Sequence, residues 1–176
     1  MTKPVIVTGC GRSGTHLVGH IMREVFGFPE AAWEPGNYLD IGEIVVDSRL
    51  RHRVKELEAN GHRVVHLVRD GRDVVRSLHQ WYRMRKWIRA VGSDDPLDGM
   101  DANDLNNFER CCTEWRDAID MMNRFPVLHI EDLSKPRVRD ASLDYSLPHW
   151  TEWGPGLTDT FWRICGDQMR RMEYGE

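Results

Sequence analysis

Two kinds of apolar pattern alternate along the chain. Pro4-Val-Ile-Val-Thr8, Glu43-Ile-Val-Val46, Arg63-Val-Val-His-Leu-Val68 and Pro126-Val-Leu-His-Ile130 are short runs rich in β-branched residues with little polar alternation. Such runs predict strands, and the third predicts a central strand buried on both faces. Between them, apolar positions recur at helical spacing. Leu17, Val18, Ile21, Met22 and Val25 mark a helix that begins near Thr15 and is closed by Gly27 and Pro29. Residues 49–59 read as a helix ending at Asn60-Gly61, and residues 72–89 as another with Val74, Leu78 and Trp81 on one face. Leu105, Phe108, Cys112, Trp115, Ile119 and Met122 form a helical stripe that predicts core packing. A last helix over about 158–172 carries Phe161, Ile164, Cys165 and Met172. Strands alternating with helices predict an α/β fold: a parallel sheet with right-handed crossovers, flanked by helices in three layers. The segments 28–42, 92–104 and 135–156 show no period and are expected as loops, the second a mobile surface loop with five aspartates and no basic residue.

Length and composition narrow the class. A chain of 176 residues suffices for one domain that buries roughly 70% of its unfolded surface, so a single compact domain over residues 1–176 is expected. No apolar run approaches the ~20 residues of a membrane span, and the amino terminus lacks the apolar stretch of an export signal. A cytoplasmic protein without membrane contact is expected. The net charge of −4 gives no global basic excess of the kind that points to nucleic acid. The distribution is uneven, however: residues 49–89 hold 12 basic residues against four acidic ones. Cys10, Cys111, Cys112 and Cys165 show no CxxC spacing, so reduced cysteines used for packing are expected, and no metal site.

The chemistry starts where the first strand meets Gly9-Cys-Gly-Arg-Ser-Gly14. A strand that feeds a glycine loop into a helix gathers unpaired backbone amides and the positive end of the helix dipole at one point, which favours an anion. Gly9, Gly11 and Gly14 allow positive φ and close approach, and the hydroxyls of Ser13 and Thr15 add donors. The glycine spacing is that of a nucleotide-triphosphate P-loop, but Thr15-His16 stands where that motif needs a lysine and a magnesium-binding hydroxyl. Arg12, inside the loop, supplies a permanent cation suited to phosphate or sulfonate oxygens. Farther along, Arg69 at a strand end and Ser77 on the next helix fall at the carboxyl edge of the sheet, where ligands of open α/β sheets bind. The alternative for Arg69 is a salt bridge with Asp70 or Asp73.

Gly9-Cys-Gly-Arg-Ser-Gly-Thr-His-Leu-Val18 resembles the 5′-phosphosulfate loop of the sulfotransferases that use 3′-phosphoadenosine 5′-phosphosulfate (PAPS), in the arginine-bearing form of carbohydrate, tyrosyl-protein and bacterial members. Val65-His-Leu-Val-Arg-Asp-Gly-Arg-Asp-Val-Val-Arg-Ser-Leu78 resembles the family's 3′-phosphate motif. Val127-Leu-His-Ile-Glu-Asp-Leu133 and the segment from Ile164 to Tyr174 resemble later family elements. The resemblance implies a P-loop-like sulfotransferase fold. It implies transfer of a sulfonate from PAPS to a hydroxyl or amine of a small-molecule or glycan acceptor, with no metal. It assigns Gly11, Arg12, Ser13, Gly14, Thr15 and His16 to the 5′-phosphosulfate, and Arg69 and Ser77 to the 3′-phosphate, with Arg72 or Arg76 expected nearby. By the same resemblance Glu34, in Trp33-Glu34-Pro35, is the expected catalytic base beside Arg12. The chain lacks the family's usual helix after the Glu-Asp-Leu strand and the carboxyl-terminal Arg-Lys-Gly motif of cytosolic members; Arg137, Arg139 and Arg163 are the substitutes at hand.

Several residues stay open at this level. His16 either donates to the 5′-phosphate or faces away, His20 reads as a plain helix residue, and His66 reads as a hydrogen-bonded core histidine. Trp33, Trp150 and Trp153 fall in irregular segments and are candidates to stack on adenine or a sugar. Arg83, Arg85, Lys86 and Arg89 are either a solvated helix face or a platform for an anionic acceptor. A divergent P-loop kinase and a non-catalytic bisphosphate-binding protein are the competing readings of the whole.

Overall fold

The computed structural model describes residues 3–24, 26–27, 32–33, 44–89, 105–133 and 147–175. Five strands, β1 (Val5–Gly9), β2 (Ala32–Trp33), β3 (Ile44–Val46), β4 (Arg63–Val68) and β5 (Val127–His129), form one sheet in the order β2-β3-β1-β4-β5. Every pairing is parallel, with Val7 opposite both Val46 and Val65 and Gly9 opposite Leu67. The α-helices are α1 (Thr15–Glu24), α2 (Val54–Ala59), α3 (Gly71–Arg89), α4 (Leu105–Met122) and α5 (Pro155–Arg171). The chain is thus an α/β protein with an all-parallel sheet, as its apolar pattern predicts.

The described residues group into two compact units. The first comprises Met1–Arg69 and Ala118–Arg139 and contains the whole sheet. β1, β3 and most of β4 are buried on both faces, which explains their unbroken apolar runs. Successive strand residues point to opposite faces, and the core divides accordingly. Ile6, Val45 and Val64 pack with Leu50, Val54 and Leu57, joined by Met122 and Phe125. Val7, Val46 and Leu67 pack on the other face with Val18 and Met22 of α1, together with Leu128 and Ile130. Helices α1 and α2 therefore cover opposite faces.

The second unit comprises Asp70–Asp117 and Asp140–Glu176. The helical stripe of α4 is buried as expected: Phe108, Cys112 and Trp115 in this unit, and Ile119 and Met122 in the first, are at most 1% exposed. All four cysteines are free and buried, and Cys165 Sγ donates to the Cys112 carbonyl at 3.4 Å. Burial raises the Cys111 thiol to about 12 and raises Cys112 as well, so both stay protonated and serve as packing groups. Trp153 meets Phe108 and Phe161 edge-on, at ring-centroid distances of 5.1 and 5.7 Å.

The structure departs from the sequence pattern in three places. Residues 49–59 are not one helix: Ser48–Arg53 forms a 3-10 helix, and the Arg53 backbone at φ −113° and ψ 10° separates it from α2. Ala32–Trp33 pairs with Val45 and Val46 as an edge strand inside the segment expected to be loop. Helix α5 begins at Pro155, about three residues early, with proline in the first turn where its missing N–H costs nothing. The expected acidic loop 92–104 lies outside the described residues. Among the described residues no helix is long and apolar enough to cross a membrane.

A candidate anion site at the carboxyl edge of the sheet

The strand order places a topological switch point between β1 and β4. The chain leaves β1 toward β2 and β3 on one side and leaves β4 toward β5 on the other. Ligands of open parallel sheets bind in the crevice at such a point, outside the carboxyl ends of the strands. Two sequence-predicted elements emerge there: the glycine loop directly after Gly9 and Arg69 directly after Val68. Register brings them together, because Gly9 and Leu67 are partners on adjacent strands.

The loop is a tight turn with an arginine in a position that favours glycine. Ser13 N–H donates to the Cys10 carbonyl at 3.2 Å, closing a four-residue turn. Its third residue, Arg12, has φ 66°, and Gly14 follows at φ 95°. Left-handed backbone costs an ordinary L-residue roughly 1–2 kcal/mol, and such strain concentrates at functional sites. Of the three glycines expected to take positive φ only Gly14 does so; for Gly9 and Gly11 the expectation is corrected. What Gly9 requires is space, since a Cβ there would lie 2.1 Å from the Leu67 carbonyl oxygen. The Ser13 amide is also not a ligand donor, because the turn consumes it.

The donors that remain are side chains and the helix start. Ser13 is 1% exposed, and its Oγ has no hydrogen-bond partner among the described residues. A buried hydroxyl left so costs about 1–3 kcal/mol, and an anion oxygen at the loop would satisfy it. Thr15 is 4% exposed, and the Val18 amide closes the first α1 bond onto the Gly14 carbonyl. The amides of Gly14 and Thr15 precede that bond, at the end of the helix where anions are favoured. Arg12 is half-buried, Gly11 lies beside it in the turn, and His16 and His20 are exposed.

The remaining predicted residues fare differently. Arg69 is half-buried at the end of β4, in the same unit as the loop, and Ser77 is buried on α3 in the second unit. Glu34, Arg137 and Arg139 lie outside the described residues. Arg72 is committed within its own unit: its guanidinium forms a two-pronged pair with Asp70, and lies 4.0 Å from the Trp150 ring centroid. Arg76 Nε donates to the Leu147 carbonyl at 3.1 Å, and Arg163 pairs with Glu109. Trp150 and Trp153 therefore already have ring partners, Arg72 on the one and two phenylalanines on the other.

His66 corrects a further expectation. It is fully buried in β4, and neither ring nitrogen has a hydrogen-bond partner among the described residues. Burial, reinforced by His129, pulls its pKa down to about 4. The imidazole is neutral near pH 7.

One pair was not found from the sequence. Asp47 follows β3, is 2% exposed, and accepts from the Arg49 amide at 2.8 Å and from Arg49 Nε and Nη2. The repeated order Asp, one residue, Arg shortly after a strand, in Asp47-Ser-Arg49 and Asp70-Gly-Arg72, was the available signal. No protein-family model, curated protein or solved structure matches the chain.

Proposed function

We propose that the protein is a PAPS-dependent sulfotransferase with a P-loop-like fold, which moves a sulfonate to a hydroxyl or amine of a small-molecule or glycan acceptor. The observation that carries the reading is the loop itself: a strained Arg12 and an orphaned Ser13 hydroxyl at the switch point, beside the strand that ends in Arg69. These groups suit phosphate or sulfonate oxygens, and the loop lacks the lysine that triphosphate chemistry needs. The strand order, with the loop on the central strand, agrees with it.

In this reading Gly11, Arg12, Ser13, Gly14, Thr15 and His16 hold the 5′-phosphosulfate, and Arg69 and Ser77 take the 3′-phosphate, as the resemblance implies. PAPS supplies an activated sulfonate on a phosphate leaving group. The protein's contribution is positioning and electrostatics. Arg12 stabilises the sulfonate and the bridging oxygen, and the turn fixes the backbone from which its side chain projects. The Ser13 hydroxyl and the amides of Gly14 and Thr15 add fixed donors that need no reorganisation. Glu34 is assigned the acceptor proton on the resemblance alone.

Calorimetry with adenosine 3′,5′-bisphosphate tests the reading. Binding without magnesium is expected, weakened at least about ten-fold in Arg69→Ala. Transfer of label from PAPS across glycans, phenols, amines and peptides, lost in Arg12→Ala, completes the test. Binding of ATP with magnesium but not of the bisphosphate would favour a kinase instead.

A further inference from the structure

His66 stands close to where the sheet meets the anion loop. Its register partners are Thr8, one residue before the loop strand ends, and Val127 of β5. His129 is opposite Val68, so its side chain shares a face of the sheet with His66. The His66 imidazole is fully buried, and neither ring nitrogen has a hydrogen-bond partner among the described residues. A neutral ring is tolerated there, whereas a buried cation without an acceptor is not. His66, His129, β5 and the loop all lie in the first unit.

We propose that β5 is a pH-sensitive latch on the anion loop: protonation of His66 opens β5 from β4 and withdraws Ile130 from Gly14. This rests on the donor reading above and adds a regulation of that site. β5 has three residues and ends the sheet order, with β4 as its one neighbour among the strands. The His66 amide donates to the Pro126 carbonyl at 2.8 Å where that pairing starts, and Val127 beside it is 40% exposed. On its other side β4 holds β1 through five register pairs, in the centre of the sheet. Releasing β5 is thus the smaller opening that wets the ring, and short units of this kind open first. Ile130 directly follows His129 and lies on the opposite face, against the cluster of Val7 and Val18. A Cβ on Gly14 would lie 1.9 Å from Ile130 Cδ1, so Ile130 walls the loop. When β5 leaves, the wall leaves with it.

No countercharge relieves a protonated His66. β1 carries no ionisable group, and on β5 His129 is the neighbour whose charge bears on the ring, opposing a second cation. Lys55, Glu56 and Glu58 of α2 and Asp120 near the end of α4 are exposed to solvent, and Glu56 and Glu58 pair with Arg53 and Arg124. Asp47, beyond Thr8, is held by Arg49. On β4 itself Arg63 is exposed, and Arg69 follows the end of the strand.

Hydrogen exchange followed by NMR, corrected for intrinsic rates, tests the latch at pH 7.5 and 5.0, with and without adenosine 3′,5′-bisphosphate. In wild type the protection of residues 127–130 is expected to fall about 30-fold at pH 5.0, for a ring that titrates at about 4 when enclosed and near 6.5 in water. β1 and β3 should keep theirs. The bisphosphate should restore the lost protection, because a ligand that needs the closed loop opposes the opening. His66→Leu and His66→Gln carry no titrating ring, so the fall should vanish in either; the wild-type measurements decide the matter if neither variant folds. No fall, a fall uniform across the sheet, a fall that survives in the His66 variants, or one that bound bisphosphate does not reverse overturns the latch while the donor reading stands. Failure of wild type to bind the bisphosphate at pH 7.5 overturns the donor reading and this regulation together.

Discussion

A Cβ on Gly14 would lie 1.9 Å from Ile130 Cδ1. The residue that ends the anion loop is thus packed directly against the segment that follows β5, and its φ of 95° forbids an ordinary side chain in any case. Gly14→Ala is expected to destabilise the fold by about 2 kcal/mol or more through clash and backbone strain together. Adding Ile130→Ala should recover only the steric part. Urea denaturation of the single and double variants measures both, and full recovery in the double variant would show that backbone strain at Gly14 is unimportant.

Arg12 separates stability from function in one position. Its φ of 66° is retained by Arg12→Ala and relaxed by Arg12→Gly. The glycine variant is expected to be the more stable of the two by about 1 kcal/mol, while both lose bisphosphate affinity. If glycine confers no advantage, the turn is not strained by its arginine.

His66 should leave a signature in the pH dependence of stability. Its imidazole titrates at about 4 in the folded chain against an ordinary value near 6.5. Between those values the unfolded chain binds a proton that the folded chain rejects, so stability rises with pH across that window. The contribution is complete above pH ~6.5 and is lost as pH falls toward 4, with about 3 kcal/mol as its upper bound. His66→Leu removes the titrating group and an orphaned polar group together. The difference between wild type and variant in denaturation midpoint, measured at pH 7.5, 6 and 5, should shrink the wild-type advantage or widen its deficit as pH falls. A pH-independent difference would mean that His66 is paired or solvated.

What the sequence made legible follows from how each feature is encoded. β1, β4 and α4 were readable because burial on one or two faces imposes a repeating demand for apolar residues, and the demand is written at every position. The loop was readable because few residues other than glycine fit where Gly9 meets Leu67 and Gly14 meets Ile130. The strand at Ala32–Trp33 has only two residues, too few to carry a period, and exists through backbone pairing with Val45 and Val46. The 3-10 turn at Ser48–Arg53 depends on one cap from Asp47, which looks like any other charge in a basic block. For His66 the pattern predicted burial correctly but not its missing partners, since residue type does not say what stands on the neighbouring strand. The Arg49 and Arg72 side chains differ in exposure, 59% against 11%, which no local motif records.

The Arg72 and Trp150 contact yields a last prediction. With Asp70 gripping its fork and the indole beneath it, Arg72 fastens the segment around Trp150 to the start of α3 within the second unit. Arg72→Lys keeps the charge but loses the planar fork and the stacking, and a cost of about 1–2 kcal/mol is expected. Trp150→Leu removes only the ring. A double-mutant cycle on the two positions, read by chemical denaturation, should return a coupling of about 1 kcal/mol. Additive single variants would mean that the stacked geometry contributes nothing, and that Arg72 is held by Asp70 alone.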